Sequence, residues 1–336
     1  VAVSNGCRAV VACRARKDQK ALMLNLIRRG VPRACTLAIG DGANDVEMIK
    51  AAHIGVGIIG REGTEAVNHS DFAIGKFRFL RGLLLVHGRQ NYRRYSVFFY
   101  FNFYQTTCYV FSMVFYSLLT LAMPASVQPL YNDWFLNFFT VFYTSLPLIA
   151  IGFNDQDVPR AVSARAPHLY ASGISREHLT SAGFNRWLVE GVCVGVLLAY
   201  VPGASTGWSS LWTSEGAVSW AAVSFIAYNA LVLITNGRLA LEVHSWSVVE
   251  AAAWGLMAAA LVLTNAMFSF WWPVPLPSVS YSQWGDSFWI LVIAYAQLPF
   301  WLALSLLVVL GLLPALALED RHFDEQRWTG TTSTLL

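Results

Sequence analysis

The chain is 336 residues long, 56% hydrophobic and only 13% charged, with a mean hydropathy of +0.47. That balance is too apolar for a soluble globular domain of this size and indicates a membrane class. The formal net charge of +3 demands no nucleic-acid partner, and none is expected. Sixteen of the 23 Lys and Arg residues lie at or before Arg94, so a polar module precedes an apolar one.

The chain opens at Val1 without a basic stretch followed by an apolar one, so we expect no signal peptide and read Val1 as an internal edge. Within residues 1–94, short β-branched runs alternate with helical patterns: 9–13, then 18–28, 36–39, 44–52 and 54–58. Such alternation predicts βαβ units on a parallel sheet, whose ligands bind at the carboxyl ends of the strands. An apolar strand runs directly into Gly40-Asp41-Gly42-Ala43-Asn44-Asp45, and a helix follows. Two carboxylates on one strand-to-helix turn suit Mg²⁺, a hard cation that keeps waters and meets phosphate. The alternative is a turn whose Asp and Asn side chains only cap the next helix. Gly55-Val56-Gly57-Ile58-Ile59-Gly60 matches the Gly-x-Gly-x-x-Gly pattern of dinucleotide binders, but its glycines interrupt a strand and Asp71 follows too soon. The five cysteines have no Cys-x-x-Cys spacing, so neither a zinc site nor a disulfide framework is supported.

Six apolar runs approach the roughly 20 residues a membrane helix needs: 95–121, 134–152, 187–201, 219–235, 248–270 and 287–313, the third being short. Arg160, Arg165, Arg176 and Arg186 fall between the second and third runs, Arg238 between the fourth and fifth, and Arg321 and Arg327 in the tail. The remaining connections carry no Lys or Arg, so the polar module and the tail are expected in the cytosol. Trp134, Trp187, Trp220, Trp246, Trp271, Trp272 and Trp289 sit near the expected span ends. The sequon Asn68-His69-Ser70 then lies on the cytosolic side and is expected to be unused. Asn102, Gln105, Thr106 and Tyr109 recur at helical spacing on the first span, and Asn137, Thr140 and Thr144 on the second. Each stripe reads either as a path for a polar headgroup or as interhelical hydrogen-bond glue.

Gly40-Asp41-Gly42-Ala43-Asn44-Asp45 with Met48 resembles the hinge motif of P-type ATPases, whose phosphorylation domain has a haloacid dehalogenase-like fold. Cys13-Arg14 followed by Gln19-Lys20 is similar to the segment that supplies that family's phosphate-contacting lysine. Ala52 to Ile58, Ser70 to Ile74, Phe77-Arg78-Phe79-Leu80 and Leu84-Leu85-Val86-His87-Gly88 resemble the type IV branch, the phospholipid flippases. Asp133-Trp134-Phe135-Leu136, Thr144-Ser145-Leu146-Pro147, Asp155-Gln156-Asp157-Val158 and the stretch from Asn236 to Glu242 continue the likeness over nearly the whole chain.

The resemblance implies a partial α/β haloacid dehalogenase-like phosphorylation domain over 1–88, an all-α six-helix transmembrane bundle over 89–318 and a cytosolic tail over 319–336. It implies Mg²⁺ at Asp41 and Asp45, and ATP or its transferred phosphoryl group at Arg14, Lys20, Asn44 and Asp45. Substrate-path residues would be Asn102, Gln105, Thr106, Asn137 and Thr140, the cargo a membrane phospholipid, and the partner a two-span accessory subunit. Lysine and arginine at a helix start are otherwise ordinary solvated side chains.

Three departures stand out. The family's phosphorylated aspartate sits in Asp-Lys-Thr-Gly, a tetrapeptide this chain does not contain, so the chain alone is expected to be inactive. Lys17 replaces a proline common in the family. Gln105 stands in a stretch where flippases usually carry lysine, which removes a cation that costs about 2.5 to 3.5 kcal/mol to insert. Two alternatives stay open: a cation pump, disfavoured because only Glu190 and Glu250 lie near span ends, and a non-catalytic membrane fragment with a structural or partner-binding role.

Overall fold

A computed structural model describes residues 7, 9–31, 34–60, 64–121, 129–131, 137–206, 216–270 and 298–333. The chain divides into two units, Val1–Arg89 with Arg160–Leu169, and Gln90–Pro159 with Tyr170–Leu336.

In the first unit, helix α1 (Lys17–Gly30) precedes strand β1 (Leu37–Gly40). A 3₁₀ turn (Ala43–Asp45) and α2 (Val46–Ala51) lead to β2 (Ile54–Ile58), and α3 (Glu65–Asn68) leads to β3 (Phe72–Ile74). The strands pair in parallel in the order β1-β2-β3, with Leu37 opposite Ile54 and Val56 opposite Phe72. Parallel neighbours require a crossover, and each interstrand helix supplies one. Leu24 of α1, Ala38 of β1, Ile49 of α2 and Ala66 of α3 make the buried core. The glycines of β2 serve this packing: a Cβ on Gly57 would lie 2.7 Å from the Val67 Cα and 2.9 Å from the Ala66 carbonyl oxygen. Asp71 fastens the same strand, accepting a 2.7 Å hydrogen bond from the Gly55 N–H. The Gly-x-Gly run thus belongs to a packed strand rather than to a phosphate-binding turn.

Residues 9–13, expected to be a strand, are irregular and exposed, Val11 at 85%. A β-branched run becomes a strand only where a ladder receives it, and no described strand pairs with this one.

A π-helical segment (Leu83–Gly88) ends the first unit and runs on into α4 (Arg89–Leu121). The second unit is helical, and in it another π-helical segment (Phe139–Thr144) leads into α5 (Ser145–Asn154). Helix α6 (Arg160–Arg165) lies in the first unit; α7 (Ser181–Thr206), α8 (Gly216–Leu241), α9 (Val248–Phe270) and α10 (Leu298–Ser333) follow in the second. Helix α8 packs against α7 and α10, and α9 against α5. Pro147 explains the π-helical entry to α5: proline has no N–H and its ring crowds the preceding turn, which frees carbonyls there. The Thr144 hydroxyl donates to the Phe139 carbonyl at 3.1 Å and the Ser145 hydroxyl to the Thr140 carbonyl at 2.5 Å.

Four described stretches are long and apolar enough to cross a bilayer: Ser181–Ser205, Val223–Leu241, Val248–Met267 and Phe300–Ala317. The chain is a multi-pass membrane protein. The described residues do not reach the expected count of six. The first expected span lies on α4, 33 residues long but too rich in polar side chains to qualify, and the second is represented by the shorter Phe139–Asn154. Residues 134–136 and 287–297, with Trp134, Trp271, Trp272 and Trp289, lie outside the described residues. The third span is longer than its apolar run suggests, because α7 starts at Ser181 and carries polar residues through its first turns.

Candidate phosphoryl-transfer site and polar helix face

Strand β1 ends at Gly40, and the chain turns through Asp41 and Gly42 into the 3₁₀ turn that carries Asn44 and Asp45. Asp45 folds back over the strand end so closely that a Cβ on Gly40 would lie 2.3 Å from the Asp45 Cβ. Glycine is therefore required at position 40. The Asp45 Oδ1 accepts a 2.7 Å charge-assisted hydrogen bond from the Lys20 Nζ, whose side chain is 32% exposed against 14% for Asp45. Lys20 occupies the first turn of α1, where Gln19 Oε1 accepts from the Arg16 N–H at 3.0 Å and fixes the helix start. Residues far apart in sequence thus place an ammonium beside a carboxylate at the carboxyl end of a parallel strand. Asp41 and Asn44 lie exposed on the same turn. Arg14, also exposed, adopts a left-handed backbone (φ 53°) just before α1. That conformation is unusual for a residue with a side chain.

The donor set fits Mg²⁺ in part. Asp41 and Asp45 offer hard carboxylate oxygens on one loop, and among the described residues no third acid, His or Cys joins them into a complete cage. Mg²⁺ is commonly held by one or two carboxylates together with waters and substrate phosphate oxygens.

On α4, Asn102, Gln105 and Thr106 come together as the sequence spacing requires. Gln105 Nε2 donates to Asn102 Oδ1 at 3.3 Å, and the Thr106 hydroxyl to the Asn102 carbonyl at 2.8 Å. Gln105 is buried, and its Oε1 has no hydrogen-bond partner among the described residues. Tyr109 stacks near Tyr131 and Phe139 instead. The second stripe is split: Asn137 and Thr140 are exposed while Thr144 is buried, because the π-helical turn between them shifts the angular register.

Sequence spacing missed the enclosed polar groups of the bundle. Glu190 binds Arg238 at 3.2 Å, and Glu250 Oε2 accepts from the N–H and hydroxyl of Ser247, capping α9. Asn265 Nδ2 donates to Asn229 Oδ1 at 2.8 Å between α9 and α8. Gly191 and Gly195 bring α7 against α4; a Cβ on Gly195 would sit 2.9 Å from the Phe111 Cβ and 3.0 Å from the Ser112 nitrogen. The Gly-x-x-x-Gly spacing from Gly191 to Gly195 was the available signal.

The model of the phospholipid-translocating P-type ATPase C-terminal region matches residues 67–320, about three quarters of the chain. The chain belongs to that family. Residues 14–76 match the haloacid dehalogenase-like hydrolases, in agreement with the parallel sheet and its Asp41 turn. Human "Phospholipid-transporting ATPase IC" is 38% identical over 243 residues, 72% of this chain and 19% of that protein. "Phospholipid-transporting ATPase DNF1" of Chaetomium thermophilum is 34% identical over 319 residues, 93% of this chain and 19% of that protein. "Probable phospholipid-transporting ATPase 12" of Arabidopsis thaliana is 42% identical over 196 residues, 58% of this chain and 16% of that protein. The chain therefore spans about a fifth of the length of these relatives.

Proposed function

We propose that the chain is the C-terminal part of an ATP-driven phospholipid translocase working through an aspartyl-phosphate. Residues 1–88 contribute to its cytosolic phosphorylation domain, 89–318 form six membrane spans and 319–336 a cytosolic tail. The observation that carries this reading is the Lys20–Asp45 pair at the carboxyl end of β1, beside exposed Asp41. Phosphoryl transfer is catalysed mainly by positioning and charge neutralisation. Lys20 places a cation where phosphoryl oxygens gain charge, Asn44 offers a donor to ATP on the Asp41 turn, and Arg14 would add a guanidinium from the segment before α1. Asp41 and Asp45 would hold Mg²⁺, which supplies neutralisation of the phosphate oxygens when bound. Lys20, 32% exposed on a flexible stem, can swing toward solvent and release Asp45 to the metal.

In the membrane, Asn102, Gln105 and Thr106 offer a polar face for a headgroup, with exposed Asn137 and Thr140 on the second span. The two carboxylates near span ends each have one oxygen engaged by the protein, Glu190 by Arg238 and Glu250 by Ser247, which favours lipid over cation as cargo. A two-span accessory subunit completes the proposed assembly. The test is formation of Mg²⁺-dependent phosphoenzyme from labelled ATP by the intact pump. Asp41→Asn and Asp45→Asn should each abolish it, and wild-type levels in both would overturn the assignment.

A further inference from the structure

Arg238, near the C-terminal end of α8, is only 5% exposed, with partners on α7 and in the turn just beyond its own helix. Its Nε donates to Glu190 Oε2 at 3.2 Å and its Nη1 to Glu242 Oε1 at 2.7 Å, while its Cζ lies 3.9 Å from the centre of the Trp187 ring. Trp187 in turn seats two tyrosines of α4. Tyr100 stacks on it at 5.9 Å, and Tyr104 meets it edge to face at 5.5 Å and 89°. One turn further along α7, a Cβ on Gly191 would lie 3.0 Å from Thr107 and 3.3 Å from the Tyr104 carbonyl oxygen. Helix α7 thus grips positions 100, 104 and 107 of α4, and the ring that seats the two tyrosines is itself held by a buried cation.

We propose that Arg238 and Trp187 are positioning residues for the lipid path: the guanidinium fixes the indole, the indole seats Tyr104, and Tyr104 sets the direction of Gln105. This rests on the reading of Gln105 as part of that path. Adjacent helix positions differ by a fixed rotation, so anchoring Tyr104 orients its neighbour. Gln105 is held buried, with an oxygen that has no hydrogen-bond partner among the described residues. Stability alone is a weak reason for the cluster, because well-packed apolar residues commonly replace buried ion pairs without loss. Geometry is a better one. A planar guanidinium can lie face-on to an indole while its edges bind two carboxylates, and a lysine ammonium cannot do both.

The experiment is lipid-stimulated ATPase activity of the intact pump in nanodiscs, titrated with ethanolamine, serine and choline phospholipids. Arg238→Lys, Trp187→Leu and Gln105→Ala are compared with wild type. Trp187→Leu keeps the position apolar and leaves the ion pairs in place, so it remains informative where Arg238→Lys fails to fold. Trp187→Leu, and Arg238→Lys where it folds, should raise the half-saturating lipid concentration about tenfold, the scale of one lost aromatic or cation–π contact. Phosphoenzyme formed without added lipid should stay at the wild-type level. Trp187→Leu combined with Gln105→Ala should shift the titration no further than either change alone. Unchanged lipid titrations in the folded clamp variants, with Gln105→Ala shifted, would overturn the positioning role alone. A Gln105→Ala pump with wild-type lipid response would remove the path reading and this proposal with it.

Discussion

Asp45 and Asp155 are both aspartates beside a cation, and they differ in what surrounds them. Asp45, in the first unit, stands at the carboxyl end of β1, where its Oδ1 accepts from the Lys20 Nζ at 2.7 Å. Asp155, in the second, is 4% exposed. Its Oδ1 accepts from the His244 N–H at 2.9 Å, the Ser245 N–H at 3.0 Å and the Ser245 hydroxyl at 3.4 Å, and its Oδ2 lies 3.5 Å from Arg93 Nη1. A carboxylate near water with a single partner can exchange it for a metal or a phosphate-bound assembly. One enclosed by three donors and a guanidinium can only hold its loop. Burial, rather than residue type, separates the chemical aspartate from the architectural one.

The comparison breaks most visibly at Asp155. Asp155→Ala strips the α8–α9 connection of its acceptor and leaves Arg93 without this carboxylate. We expect a loss of about 3 to 5 kcal/mol in equilibrium denaturation of the chain in detergent, followed by helical circular dichroism. The matching change at Lys20, Lys20→Ala, should cost less, about 1 to 2 kcal/mol, because one charge-assisted bond is lost and water can reach the site that the 32% exposed lysine vacates. Similar losses at the two sites would mean that Asp45 is as architectural as Asp155. Between these lies Gly195→Leu, which forces a side chain into the backbone of α4 and should cost about 1 to 3 kcal/mol by the same measurement.

What the sequence disclosed follows the same division. The alternation of apolar runs located α1, β1, β2 and the Asp41 turn, because local pattern and local structure coincide there. It failed at residues 9–13, where strand propensity had no ladder to join. The Asn102, Gln105 and Thr106 face was legible because an unbroken helix keeps its period, whereas the stripe through Thr144 was not, since a π-helical turn resets it. The enclosed pairs could not be read at all. Glu190 and Arg238 are 48 positions apart and Asp155 and His244 are 89 apart, so only the packing of α5, α7 and α8 brings such partners together.

The smallest expected effect has the opposite sign and sits at the entrance to the candidate site. Lys17 is the first residue of α1, a position whose N–H has no intrahelical acceptor and where proline is preferred. The preceding residue, Arg16, already has φ −72° and ψ 162°, the extended conformation that a following proline imposes. Lys17→Pro therefore needs no backbone change and restricts the unfolded chain, a gain of about 0.4 to 1 kcal/mol. It removes the 3.6 Å ion pair with Glu47, but those side chains are 59% and 47% exposed and solvent screens the pair. The net should be neutral to stabilising by less than about 1 kcal/mol in the same denaturation measurement. Lys20 lies in the same first turn, so phosphoenzyme formation by the intact pump should be unaffected if the helix start is already as rigid as Gln19 makes it. A destabilised Lys17→Pro chain would place the start of α1 elsewhere and would detach Lys20 from the geometry that joins it to Asp45.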